Sequence, residues 1–124
     1  MVVNAMVLGI GNDMIEIKRI EKACEKQAFL VRCYTEKEIK LCQSKASMLA
    51  GNFAVKEAVA KSFGTGFRGF KPRDIEVLRN ELGKPYVNLY KGARKLYEDM
   101  EAASIHVAIT NTEQFAVAMA VLEK

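Results

Sequence analysis

Apolar positions come in short runs near the start of the chain, at helical spacing through its middle, and in alternation near its end. Val7 to Ile10 reads as a buried strand, and Gly9 and Gly11 permit close backbone approach near its end. From Ile17 the period lengthens. Ile17, Ile20, Cys24 and Gln27/Ala28 share one helical stripe, while Lys18, Lys22 and Lys26 form another, with Arg19 beside it. Thr35-Glu36-Lys37-Glu38 is a capping box that opens a short helix through about Lys45. A longer helix is predicted from about Ser47 to Phe63, ending at Gly64-Thr65-Gly66. Ile75 to Arg79 and Tyr86 to Leu89 read as a hairpin, Lys91 to Ala103 as a helix, and Ile105 to Thr110 and Phe115 to Leu122 as two final strands. The expected architecture is α+β: a small, mainly antiparallel sheet with helices packed on one face, in a single domain over residues 1–124.

Composition narrows the class. Of 124 residues, 50% are hydrophobic and 27% charged, the profile of a soluble globular protein able to bury a core without staples. No apolar run approaches the roughly 20 residues needed to span a bilayer. The first residues lack the charged leader and small-residue cleavage site of a signal peptide. Cys24, Cys33 and Cys42 are odd in number and form no C-x-x-C pair, so they read as reduced core residues, and the expected compartment is the cytoplasm. A net charge of +4 points to an acidic partner. Nucleic acid fits poorly, because the basic residues are dispersed, tryptophan is absent and no nucleic-acid-binding motif occurs.

The candidate chemistry lies in two blocks. Gly9-Ile10-Gly11-Asn12-Asp13 ends the first strand, and Phe53-Ala54-Val55-Lys56-Glu57-Ala58-Val59-Ala60-Lys61 lies on the long helix. Glu57 and Lys61 are one turn apart on one face; as a surface ion pair they would contribute only about 0.2–0.5 kcal/mol. The helix is apolar over most of its circumference, so charges on it call for a stronger reason. If Asp13 meets Glu57, two carboxylates about 4 Å apart repel by about 4 kcal/mol at an effective dielectric of 20. A shared proton, Lys61 or a cation must offset that. Magnesium suits a site with two protein carboxylates, since water and phosphate oxygens complete its shell. Zinc would want His and Cys, and the chain has one histidine, His106. Alternation puts His106, Ala108 and Thr110 on the strand face opposite the core, facing either solvent or a cleft. Gly64-Thr65-Gly66 is not a Walker loop, because its lysine precedes the glycines.

Taken together, these blocks resemble the holo-acyl-carrier-protein synthase family, the short type of 4′-phosphopantetheinyl transferase. Gly9 to Asp13 with Glu16-Ile17-Lys18-Arg19-Ile20 is similar to its first motif, and Phe53 to Ala58, continuing to Lys61 and Gly64–Gly66, to its second. Gly83-Lys84-Pro85-Tyr86-Val87 and His106-Val107-Ala108-Ile109-Thr110 are similar to two later segments in the same order. The resemblance implies Mg²⁺-dependent transfer of the 4′-phosphopantetheine arm of coenzyme A to a serine of apo acyl carrier protein, releasing adenosine 3′,5′-bisphosphate in support of fatty acid biosynthesis. It implies that Asp13 and Glu57 hold the metal and that Lys61 neutralises the phosphates and assists the leaving group. Glu57 would act as base for the serine, directly or through a metal-bound water. Lys61, Gly64, Pro85, His106 and Thr110 would bind coenzyme A. Lys18, Arg19, Lys22 and Lys26 would meet the carrier's acidic helix. It also implies a homotrimer with active sites between subunits.

The chain departs from the family pattern at Asn52, where a basic residue near the nucleotide phosphate is common, and at Ala108 and Asn111 in the last motif. Arg68 or Lys71 could supply the phosphate with a positive charge in place of residue 52. The competing expectation is a non-catalytic module for nucleotides or nucleic acid, suggested by the net charge and the basic loop Arg68–Arg73. Two acids at the centre of an anion site argue against it.

Overall fold

The structure is a computed structural model that describes residues 6–124; the segment 1–5, read above for a leader, lies outside the described residues. Its elements are β1 (Val7–Glu16), α1 (Ile17–Cys24), α2 (Gln27–Cys33), α3 (Glu36–Cys42), α4 (Ala46–Ser62), β2 (Ile75–Arg79), β3 (Pro85–Leu89), α5 (Lys91–Asp99), β4 (Ser104–Asn111) and β5 (Phe115–Glu123). A single 3-10 turn, Pro72–Asp74, leads into β2. The expected α+β class is what forms: a three-stranded antiparallel sheet ordered β1-β5-β4 and a separate β2-β3 hairpin.

Where β1 and β5 form it, the sheet face under α4 is built mainly of small residues. Ala116, Ala118, Ala120 and Leu122 of β5 are buried, and so are Ala50, Ala54, Val55, Ala58 and Val59 of α4, which lies across β1 and β5. Small side chains on both sides let the helix sit close to the sheet, and α4 is buried on nearly all sides, as its composition predicts. The half of α4 towards its C-terminus keeps one stripe partly open: Phe53, Glu57 and Lys61, each four residues from the next.

Four boundaries differ from the pattern reading. β1 continues to Glu16 because its pairing with β5 runs unbroken from Gly9 to Glu16, which outweighs two strand-weakening glycines. The stripe from Ile17 to Ala28 is not one helix; the chain leaves helical geometry at Lys26 (ψ 118°) and restarts as α2, whose Phe29, Leu30 and Cys33 pack inward. α3 ends at Cys42 rather than near Lys45, because Gln43 and Ser44 adopt left-handed backbone (φ 47° and 62°). α5 stops at Asp99, short of Ala103, just before Glu101 turns left-handed (φ 57°).

The capping box forms as read: Glu38 N donates to Thr35 Oγ1 (3.2 Å) and Thr35 N to Glu38 Oε1 (3.1 Å). Thr35 also donates to Glu76 Oε2 at 2.6 Å, tying α3 to β2. Thr35→Ala removes the cap and that bond together and is expected to cost about 1–2 kcal/mol by urea denaturation. A loss below about 0.5 kcal/mol would mean water replaces both bonds without penalty. The three cysteines are free, with Cys33 and Cys42 buried; burial pushes both thiols up to about 11, so they are inert fillers of the core.

Candidate active site

Asp13 reaches α4 because the two positions before it on that face of β1, Gly9 and Gly11, carry no side chains. A methyl placed on Gly11 would stand 1.9 Å from the Ala58 carbonyl oxygen, and one on Gly9 would stand 1.9 Å from that of Ser62. The strand therefore lies against the helix backbone, and Asp13, two residues further along the same face, arrives beside Glu57 and Lys61. Lys61 Nζ donates to the Asn12 carbonyl at 2.9 Å and to Asp13 Oδ1 at 3.3 Å. Lys61 is 51% exposed and Asp13 17%, so the ammonium remains open to a ligand while it tethers the carboxylate. Such a half-exposed pair contributes little to stability.

Asp13 and Glu57 line one cleft of about 480 Å³ with Glu16, Arg19, Ile20, Phe29 and Phe53. Burial raises the Glu57 carboxyl from its ordinary value, the nearby Asp13 charge raises it further, and Lys61 opposes both. A carboxylate pushed up in this way is a better proton acceptor and a better partner for a cation than an ordinary surface glutamate. The donor set is hard oxygen only, with open space beside it. Among the described residues no three His, Cys, Asp or Glu side chains cluster into a closed metal cage. Two carboxylates next to an open cleft fit Mg²⁺, which retains water and substrate oxygens in its shell. A second cleft, about 300 Å³, shares Phe29, Phe53 and Glu57 with the first and is walled by Arg32, Phe67, Phe70, Lys71 and Pro72.

Other residues singled out in the sequence lie elsewhere. Gly64 follows Lys61 at the exit of α4 with φ 81°, a backbone that favours glycine. Pro85 opens β3 opposite Arg79. His106 and Thr110 are exposed on the sheet face away from α4; His106 Nε2 lies 2.6 Å from Glu123 Oε1 and 3.3 Å from Ser104 Oγ. Within one chain neither lines the Asp13/Glu57 cleft. Arg19 does line it, whereas Lys18 borders a separate cleft with Glu113 and Gln114, and Lys22 and Lys26 are exposed on and after α1. Asn52 is fully buried and donates to Glu38 Oε2 (3.0 Å) and to the Val77 carbonyl (3.0 Å). It therefore faces no ligand in this chain, and the position takes part in core hydrogen bonding. Ala108 and Asn111 are exposed on β4. Of the basic loop, Arg73 is engaged by the Val31 and Tyr34 carbonyls (2.9 and 3.4 Å), leaving Arg68 and Lys71 exposed.

Pattern reasoning did not find the Glu38–Lys56 pair beneath the site or the place of Phe29 in both clefts. Lys56 read as part of a charged motif, yet it is wholly buried. The available signal was its neighbours: with Val55 and Val59 apolar, a lysine between them faces the core, and an acid had to meet it.

A half-buried carboxylate pair lining an open cleft, with a tethered lysine beside it, can accept a cation and a phosphate-bearing substrate. Residues 9–120 match the model of the 4′-phosphopantetheinyl transferase superfamily, and the chain belongs to that family of enzymes. Within it, the chain is similar to holo-[acyl-carrier-protein] synthases. That of Lachnoclostridium phytofermentans is 55% identical over 118 residues, spanning 95% of this chain and 97% of the relative. That of Clostridium beijerinckii is 50% identical over 122 residues, spanning 95% and 98%. Among solved structures, the Helicobacter pylori synthase in complex with coenzyme A has a TM-score of 0.82 at 32% identity, covering 91% of this chain and 98% of that one. The Bacillus anthracis synthase, in complex with CoA (3′,5′-ADP), has a TM-score of 0.80 at 35% identity, covering 96% and 98%.

Proposed function

We propose that this protein is a cytoplasmic holo-[acyl-carrier-protein] synthase, acting as one transferase domain. It transfers 4′-phosphopantetheine from coenzyme A to a serine of apo acyl carrier protein and thereby supports fatty acid biosynthesis. The observation that carries the reading is that Asp13 and Glu57 line one open cleft while Lys61, paired with Asp13, stands beside them. No described helix is long and apolar enough to cross a membrane.

In this reading the serine oxygen attacks the phosphorus that bears the pantetheine arm. The bond from that phosphorus to the bridging oxygen breaks, and adenosine 3′,5′-bisphosphate leaves with the electron pair. Glu57 takes the serine proton; burial and the Asp13 charge give it a higher proton affinity than an ordinary glutamate. Lys61 brings positive charge to the leaving phosphate from a position fixed by Asp13 and the Asn12 carbonyl. Asp13 and Glu57 would hold Mg²⁺, which when bound supplies charge neutralisation to the pyrophosphate. Gly64 and Pro85 would border coenzyme A on the same chain.

His106 and Thr110 fit this reading through a homotrimer. The sheet face they occupy also exposes Ile10 (66%), Met14 (65%) and Met119 (49%), and Met119 is paired between Asn12 of β1 and Ala108 of β4. An apolar patch of this kind supports coverage by a second copy of the chain. That would bring His106 and Thr110 to a neighbour's coenzyme A and complete the site between subunits.

The test is incubation of the protein with Mg²⁺, coenzyme A and an apo carrier, with mass spectrometry of the carrier and sedimentation of the enzyme. One phosphopantetheine increment on the carrier and a trimeric mass are expected; an unmodified carrier with folded enzyme would reject the reading. Arg19 lines the cleft beside Asp13 and is the docking residue nearest the chemistry. Arg19→Glu is expected to raise KM for the carrier about tenfold, about 1.4 kcal/mol, with KM for coenzyme A unchanged. Lys18, Lys22 and Lys26 lie further out, so their charge reversals should give smaller effects that fade with salt.

A further inference from the structure

Lys56 immediately precedes Glu57, yet its side chain points into the core. Its ammonium and the Glu38 carboxylate are both 0% exposed and 2.7 Å apart. Lys56 Nζ donates also to the Pro72 carbonyl (3.1 Å) and to that of Ile75, so its three N–H groups each have an acceptor. Glu38 is held in turn by Thr35 N and by Asn52 Nδ2. Burial pushes the lysine down and the glutamate up, and their mutual attraction opposes both shifts. Stability is a weak reason for such a pair, since well-packed apolar residues of the same volume often do as well or better.

What the ammonium reaches gives a better one. Pro72 and Ile75 end the segment that leaves α4 after Ser62, a stretch with left-handed glycines at 64, 66 and 69. Phe67, Phe70, Lys71 and Pro72 of that segment wall the cleft that opens onto Glu57. We propose that Lys56 is a positioning residue: by donating to the Pro72 and Ile75 carbonyls it clamps them to α4 and so holds the 67–72 wall in the geometry that binds coenzyme A. This rests on the transferase reading for the identity of the ligand.

Two variants are compared, Glu38→Gln and Glu38→Gln/Lys56→Met. Both lack the buried carboxylate, and only the second lacks the clamp. KM for coenzyme A, its calorimetric Kd, kcat and the melting midpoint are measured for each. Glu38→Gln is expected to keep KM and Kd within about threefold of the unmodified enzyme. The double variant is expected to fold, with KM and Kd raised about tenfold and kcat changed less than about threefold. Unchanged KM and Kd in a folded double variant would overturn the proposal, as would a fall in kcat alone. If the double variant does not fold, Glu38→Gln decides: a tenfold rise in KM there, where Lys56 still reaches both carbonyls, overturns it. Failure of the transferase reading is distinct, appearing as no turnover by the unmodified chain while the Kd comparison still stands.

Discussion

Glu57→Gln is expected to lower kcat/KM for transfer at least about a hundredfold, roughly 2.7 kcal/mol, and at the same time to raise the melting temperature at neutral pH. The two effects share one cause. In the folded chain burial, then the Asp13 charge, raise the Glu57 carboxyl above its ordinary value of 4.5, with Lys61 in opposition. The folded protein therefore holds this proton to higher pH than the unfolded chain does. Stability tied to the group is fully present below the unfolded value and is lost as pH rises through the raised folded value. Glutamine does not titrate. The melting temperature of Glu57→Gln should match that of the parent below pH 4.5 and exceed it increasingly as the parent's carboxyl ionises. Calorimetry from pH 4 to 8 reads this directly. Parallel pH profiles would show that the carboxylate carries no penalty in the fold, and unchanged kcat/KM would remove it from the chemistry.

That trade between stability and activity is also where sequence and structure met most closely. The apolar circumference of α4 made Glu57 and Lys61 anomalous, and the fold leaves them, with Phe53, as the open stripe of a buried helix. Alternation along β4 placed His106 opposite the core, where it is found; it could not say what covers that face, because one chain holds no record of a neighbour's surface. The break between α1 and α2 was not legible, since Ile17, Ile20, Cys24 and Ala28 continue one helical stripe without glycine or proline to interrupt it. Tertiary packing of Phe29 and Leu30 decides that break rather than local propensity. Asn52, read only as a departure from the family pattern, hid its core role for a related reason. Polar residues on helices usually face solvent, and its real partners, Glu38 and the Val77 carbonyl, lie 14 and 25 positions away.

The spacing between β1 and α4 is the one geometric quantity on which the whole site depends, and Gly11→Ala tests it. The added methyl would meet the Ala58 carbonyl oxygen at 1.9 Å and the Lys61 Cβ at 3.0 Å. The first of these is helix backbone, which no rotamer change can clear, so strand and helix must separate. Overpacking of this kind costs about 1–3 kcal/mol, and a backbone clash belongs at the upper end. Asp13 shares the face of Gly11, and a shift of about 1 Å in a catalytic group can cost about a hundredfold in rate. Gly11→Ala is therefore expected to lose about 3 kcal/mol in urea denaturation and about a hundredfold in kcat/KM, assayed at a temperature where the variant is fully folded. Gly83→Ala is the matched comparison. Gly83 also needs glycine, with φ 84°, but a methyl there meets nothing within 4 Å. It should lose about 1 kcal/mol from backbone strain, without the strand–helix clash that Gly11→Ala adds. If folded Gly11→Ala turned over like the parent, the close approach of β1 to α4 would serve packing alone, and the placement of Asp13 would need another explanation.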